Sequence, residues 1–188
     1  DLGTRSVVTD HERQVLVEEL LLKLKYRSLE GRSEALARIL DETGVVIPKD
    51  LMLSTAQLRG LRDAGMEVGG HTSSHPILAV LPDAEARRQI ADDRARLTEL
   101  LGQAPRFFAY PNGRPDNDYK AGHADIVRDL GYEAAFTTSF GSVGPESGVF
   151  KLPRFTPWDK PLWRFSLRLA HNYFRGHSRQ LLPGRSEE

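Results

Sequence analysis

Apolar positions recur at helical spacing over several long stretches of this chain and gather into short runs between them. Val15, Leu16, Leu20 and Leu24 stand among Glu and Lys, which predicts a helix over 11–25. A second helix is predicted from Ser33 to Thr43, stopped by Gly44. Pro48 to Leu53 reads as connecting chain, and Ser54-Thr55-Ala56-Gln57 as a capping box opening a helix that ends near Gly65. Met66 to Gly70 then reads as a short strand. Pro82-Asp83 opens what reads as the longest helix, to Leu101, with Ile90, Leu97 and Leu101 as its buried stripe and Gly102 as its stop. Arg106–Tyr110 and Ala134–Thr138 read as strands flanking a helix over 121–130, and Val149–Leu152 as a further strand.

Helices alternating with short apolar strands predict an α/β fold with a parallel sheet. Two polar segments follow predicted strands directly. In such folds the loops after the C-terminal strand ends carry the chemistry.

The tail differs. Pro161–Phe174 predicts an amphipathic helix with Leu162, Phe165 and Leu169 on one side. From Arg164 to Arg185 there are five arginines and two histidines, with acids only at the extreme end. This suits a helix packed on the flank of the fold, or a basic surface meeting a membrane or an acidic partner. The last dozen residues are expected to be disordered.

Composition narrows the class. The 188 residues suffice for one well-buried core. Lys and Arg number 26 and Asp and Glu 26, so no basic footprint for nucleic acid exists. The absence of cysteine excludes disulfides and thiolate metal sites. No apolar run approaches the ~18 residues of a membrane-spanning helix. Compartment and oligomeric state stay open.

Gly69-Gly70-His71-Thr72-Ser73-Ser74-His75-Pro76 places two imidazoles at i and i+4. Neutral imidazole is a common zinc ligand, and small polar neighbours such as Thr72 and Ser74 can fix ring tautomers. The alternative is a helix start capped by Thr72 or Ser74. Tyr110-Pro111-Asn112-Gly113 is a strong turn signal. Pro111 has no N–H, so the free amides of the turn begin at Asn112, and an amide aimed into a cleft can stabilise an oxyanion. A plain surface turn is the alternative. Arg114, Asp116, Asn117, Asp118 and Tyr119 follow as a polar run able to touch a sugar-like ligand, or as solvated loop.

The His71–His75 segment with its following Pro76-Ile77-Leu78 resembles the second motif of polysaccharide deacetylases, the NodB-homology domain of carbohydrate esterase family four. Arg106-Phe107-Phe108-Ala109-Tyr110-Pro111-Asn112-Gly113-Arg114-Pro115 resembles the third motif. Leu130–Thr138 resembles the Gly-Tyr/Phe-x-Ala-Ala strand that follows. Phe150–Phe155 resembles the Leu-Pro-Arg strand of one branch. The resemblance covers residues 54–160 and is more specific as an ordered series than in any one motif.

It implies a distorted (β/α) barrel that removes N-acetyl groups from N-acetylhexosamine units of a polysaccharide or glycan precursor. It implies one divalent metal, zinc foremost with cobalt, nickel and manganese as alternatives, held by His71, His75 and one Asp. The Asn112 N–H would serve the oxyanion hole, with Tyr110, Pro111 and Arg114 toward the substrate. An upstream Asp acts as base in the family, and a late His as acid. The Thr-Phe-Asp-Asp motif that supplies the metal Asp and the base has no match here; Val7-Val8-Thr9-Asp10 comes nearest. The first barrel strands are therefore expected upstream of Asp1, with 1–53 a helical insertion or connecting segment, 54–160 the C-terminal part of the barrel, and 161–188 the basic helix and tail. A histidine pair alone should bind metal weakly. Arg154 occupies the strand where the family often carries its late His. His171, in Leu169-Ala170-His171, mimics that motif within a helical pattern. His123 reads as a surface residue near a helix cap. The alternative function is a carbohydrate- or metal-binding relative without catalytic acids.

Overall fold

The computed structural model describes residues 7–145, 147–155 and 159–181, with side chains as far as residue 174. Two helices come first, α1 (Asp10–Lys25) and α2 (Leu29–Thr43). Thr9 closes a capping box with Glu12 at the start of α1. Ser28 accepts the Gly31 N–H at the start of α2, and Gly44 ends α2 in the left-handed conformation that the sequence pattern requires. Of the expected α1 stripe only Leu24 is buried.

α3 (Thr55–Asp63) starts in the expected Ser54–Gln57 box. α4 (Asp83–Leu101) carries Asp83 and Glu85 in its first turn, where acids suit the helix dipole, and ends at Gly102 with φ 73°. Two α3 arginines satisfy the last α4 carbonyls: Arg59 Nε donates to Leu100 O at 2.9 Å and Arg62 Nη1 to Leu101 O at 2.6 Å.

The sheet is parallel, in the order β1 (Phe107–Ala109), β2 (Ala134–Phe140), β3 (Leu152–Arg154). α5 (Ala121–Asp129) is the crossover between β1 and β2. Phe108 faces Ala135 in register, and a bulge interrupts the pairing of β2 with β3. The core gathers Leu78, Ile90, Phe108, Tyr110, Tyr119, Val127, Tyr132 and Ala135. This is the expected α/β, parallel-sheet architecture.

Four expectations need correction. Met66–Gly70 is not a full strand: only Gly70 pairs, as a parallel bridge to Phe108. Gly70 N donates to Phe107 O at 2.8 Å and Ala109 N to Gly70 O at 2.9 Å. The chain then leaves the sheet, because Thr72 turns to φ 68°. Val149–Lys151 is a 3-10 turn, with Lys151 N donating to Gly148 O, and the strand begins only at Leu152. Pro153 suits this edge position, since it has no N–H to give a further neighbour. The longest helix is α6 (Leu162–Leu181), of 20 residues against 19 for α4. Its backbone runs on through 177–181, part of the tail expected to be disordered, and 182–188 lie outside the described residues. On α6 Asn172 is buried and Phe165 half-buried, whereas Leu162, Trp163, Leu167 and Leu169 are exposed.

Gly70 is there for closeness. A Cβ on it would collide with the Tyr132 hydroxyl and come within 3.0 Å of Asp93 Oδ2. That hydroxyl is buried and has no hydrogen-bond partner among the described residues. Gly70→Ala should therefore lower stability by about 1–3 kcal/mol. Tyr132→Phe should cost little alone and recover part of that loss in the double variant. A denaturant-melt double-mutant cycle measures this coupling, and additive single effects would refute the proposed collision.

Candidate active site

The two histidines sit on a loop between the Gly70 bridge and a 3-10 turn at Leu78–Val80. Thr72 and His75 take left-handed backbone conformations, φ 68° and 54°. Such residues each cost about 1–3 kcal/mol and persist only where their surroundings over-determine them. Here the surroundings are a polar edge of α4. Asp93 Oδ2 accepts the His71 N–H at 2.7 Å and the Thr72 N–H at 3.1 Å. The Gln89 carbonyl accepts from Ser73 N, and its side-chain oxygen from Ser74 N at 3.2 Å and Ser74 Oγ at 2.9 Å. Thr72 Oγ1 accepts the His75 N–H at 3.2 Å, closing a local turn rather than capping a helix.

Burial raises the Asp93 carboxyl above the usual carboxylate range, against the amide bonds from His71 and Thr72. The sequence pattern passed over Gln89 and Asp93, which stand at i and i+4 beside the apolar stripe of α4. That spacing was the available signal, but nothing local told that another loop's amides would meet it.

His71 Nδ1 lies 2.7 Å from Ala109 O, at the end of β1. A carbonyl only accepts, so Nδ1 carries a proton, and in the neutral ring Nε2 is the nitrogen with the lone pair. The His75 ring centroid is 4.8 Å from that of His71, with the planes at 70°. Burial holds the His75 pKa below the usual imidazole range, and the neighbouring His71 adds to this. The lowered His75 pKa favours the neutral, ligating ring there. The pair therefore fits two positions of a metal's ligand set. Among the described residues no third His, Asp, Glu or Cys joins it.

The strand that receives the His71 ring runs straight into the turn. Gly113 N donates to Pro111 O at 2.6 Å around Asn112, whose φ is 56°, forming a γ-turn. β2 fastens it: Thr138 Oγ1 donates to Asn112 O at 2.7 Å and Thr138 N to Gly113 O at 2.9 Å. Among the described residues the Asn112 N–H has no acceptor.

Tyr110 and Pro111, expected to face the substrate, are instead in the core. Tyr110 is 0% exposed, stacks on Tyr119 at 3.9 Å, and donates its hydroxyl to Phe150 O. They shape the turn from inside.

Arg114 is exposed but not free. Its backbone N–H and its Nε both donate to Asp118 Oδ2, at 3.0 and 3.1 Å. Asp118, read as part of a solvated run, is 0% exposed. Its other oxygen accepts the Tyr26 hydroxyl at 3.2 Å and lies 3.6 Å from Lys25 Nζ. Burial opposes the Asp118 charge, but the Arg114 bonds and the Lys25 charge outweigh it and hold the carboxyl below its usual range.

The remaining candidates make no bond to the histidine loop among the described residues. Arg154, on β3, donates to Thr137 O at 2.6 Å. His171 is exposed on α6 and makes no bond to either loop among the described residues. Asp10 opens α1, pairs with Arg13 and is 92% exposed. His123, expected on the surface, is 1% exposed: its Nδ1 accepts the Lys120 N–H and ties down the start of α5.

The polysaccharide deacetylase family profile matches residues 33–135, more than half of the chain. The chain belongs to the polysaccharide deacetylase family. No curated protein is significantly similar in sequence. Among solved structures, the deacetylase PplD of Streptococcus pyogenes, in complex with acetate, is 27% identical with a TM-score of 0.53 over 62% of this chain and 48% of that one. A Bacillus cereus polysaccharide deacetylase is 20% identical, TM-score 0.54, over 65% and 38%. The deacetylase domain of BpsB from Bordetella bronchiseptica is 17% identical, TM-score 0.51, over 59% and 51%. The last two speak for the deacetylase-type fold alone. The chain spans about half of these structures or less.

Both amides that meet Asp93 bond the same oxygen, so Asn can replace it. Asp93→Ala should cost about 1–3 kcal/mol by leaving two N–H groups unpaired, and Asp93→Asn much less. Because the folded Asp93 pKa is raised, the fold disfavours its charge. Asp93→Asn should therefore gain on the wild type as pH climbs through that raised pKa, with no such gain below the unfolded value of 3.8. Chemical denaturation of the three proteins at pH 3.5 and 7 checks both statements.

Proposed function

We propose that this chain is the histidine-bearing part of a metal-dependent hydrolase that removes N-acetyl groups from N-acetylhexosamine units of a polysaccharide or glycan precursor. The observation that carries the reading is the Ala109 carbonyl on His71 Nδ1, which leaves Nε2 available beside His75 at the C-terminal end of a parallel strand. A divalent metal, zinc foremost, would supply Lewis acidity and a reactive hydroxide at neutral pH. His71 and His75 would hold it, with a carboxylate completing the set. Among the described residues no carboxylate joins the pair in a ligand cluster.

Asn112 is the residue assigned to the reacting carbonyl. Its amide lies in a turn held by the Gly113 N–H on Pro111 O and by Thr138 on the Asn112 and Gly113 carbonyls, so it need not reorganise as negative charge builds on the acetamide oxygen. Arg114 is the residue assigned to a sugar hydroxyl, and its bonds to Asp118 support this by holding its side chain in place. His171 remains the assignment for the late acid, and Arg154, a permanent cation, would hold a carboxylate or a sugar oxygen. On α6 the exposed Leu162, Trp163 and Leu167 lie beside Arg164, which supports contact with an anionic membrane surface.

In the complete protein, zinc-loaded enzyme should release acetate from N-acetylglucosamine oligomers, chelation should abolish it, and zinc should restore it. His71→Ala with His75→Ala should lower the rate at least about 100-fold. No acetate under any metal, with glycan binding that survives the double substitution, would favour the noncatalytic binding relative instead.

A further inference from the structure

We propose that Arg32 is a positioning residue of the metal site and that the elbow between α1 and α2 is the clamp that seats it. This rests on the reading of His71 and His75 as ligands.

His75 has two backbone handicaps. It is a non-glycine residue at φ 54°, and it precedes Pro76, whose ring pushes the preceding residue toward extended conformations. Something outside the loop must hold it. Arg32 Nη2 donates to Ser74 O at 2.7 Å and Nη1 to His75 O at 3.2 Å. The Ser74 carbonyl belongs to the peptide plane before the His75 Cα and the His75 carbonyl to the plane after it. Holding both planes fixes φ and ψ of His75, and so the direction in which its Cα–Cβ bond launches the imidazole. Among the described residues the Ser74 carbonyl has no other donor. The task suits a planar guanidinium fork, which spans two acceptors, whereas an ammonium is a point charge.

The elbow is itself anchored. Seven residues before Arg32, Lys25 reaches the buried Asp118, and the neighbouring Tyr26 donates to the same oxygen. Arg114 donates to the Tyr26 hydroxyl at 2.6 Å, and its N–H and Nε hold the other Asp118 oxygen. The segment that aims His75 is thus fastened to the loop that follows the Asn112 turn.

The complete protein, with Arg32→Ala, Arg32→Lys and Arg59→Ala variants, tests this. Arg59 is the matched control, because it too donates to a backbone carbonyl, that of Leu100, but away from the site. Zinc affinity by chelator competition should fall roughly 10–100-fold in Arg32→Ala, less in Arg32→Lys, and not in Arg59→Ala. Metal-free hydrogen exchange should show protection lost around residues 74–77 in Arg32→Ala alone. Unchanged zinc affinity and exchange in Arg32→Ala, or equal losses in Arg59→Ala, overturn the assignment. A wild type that takes up no zinc overturns the metal reading instead. Exchange then still decides Arg32: protection kept in Arg32→Ala overturns its role, and protection lost around 74–77 supports it.

Discussion

A loop that presents two imidazoles to the same point cannot also pair its own backbone. That constraint organises this molecule. Between His71 and His75 the chain turns left-handed at Thr72 and His75, so its amides and carbonyls point outward for partners. Asp93 takes two amides, Gln89 takes the next two, and Arg32 takes the carbonyls of Ser74 and His75. Nearly every polar group that shapes the loop lies elsewhere in the sequence, on α4 or at the start of α2. The strain in the loop is tolerable because rigid helices supply the answering groups.

The second motif depends on the first through β1. Ala109 sits between the Gly70 bridge and β2, accepts from His71, and leads at once into the Asn112 turn. Close approach is what makes this possible. Gly69 lets the Phe107 carbonyl come near, since a Cβ there would stand 2.9 Å from that oxygen. Gly113 does the same beneath the turn, with φ 71° and the Thr138 amide 3.0 Å from where a Cβ would be. The aromatic residues of the strand serve this geometry from the core: Tyr110 and Tyr119 stack in parallel, and Phe108 packs against Tyr132.

Charge is used sparingly and inside. Asp118 carries a buried negative charge with donors on both oxygens, and it joins the elbow of the N-terminal helices to the polar loop. Pairs such as Arg106 with Glu133 and Arg96 with Glu99 are solvent-facing and contribute little. Truncating a partner of Asp118 would leave a charge uncompensated, which is why this network constrains the loop more than the surface pairs do.

What the sequence determined by itself was local. The capping box at Ser54, the glycine stops at Gly44 and Gly102, and the apolar periodicity of α4 placed the helices, because these signals act within one turn of chain. The ordered histidine and Tyr-Pro-Asn-Gly motifs placed the two site loops for the same reason. Tertiary structure alone decided the rest. It withdrew Tyr110 into the core, buried Asp118 and His123, and reduced Met66–Gly70 to a single bridge. It also recruited Arg32, Gln89 and Asp93 to hold the histidines. Those pairings span from 15 to 43 residues, and a hydrogen bond across such a separation leaves no periodic trace in composition or spacing.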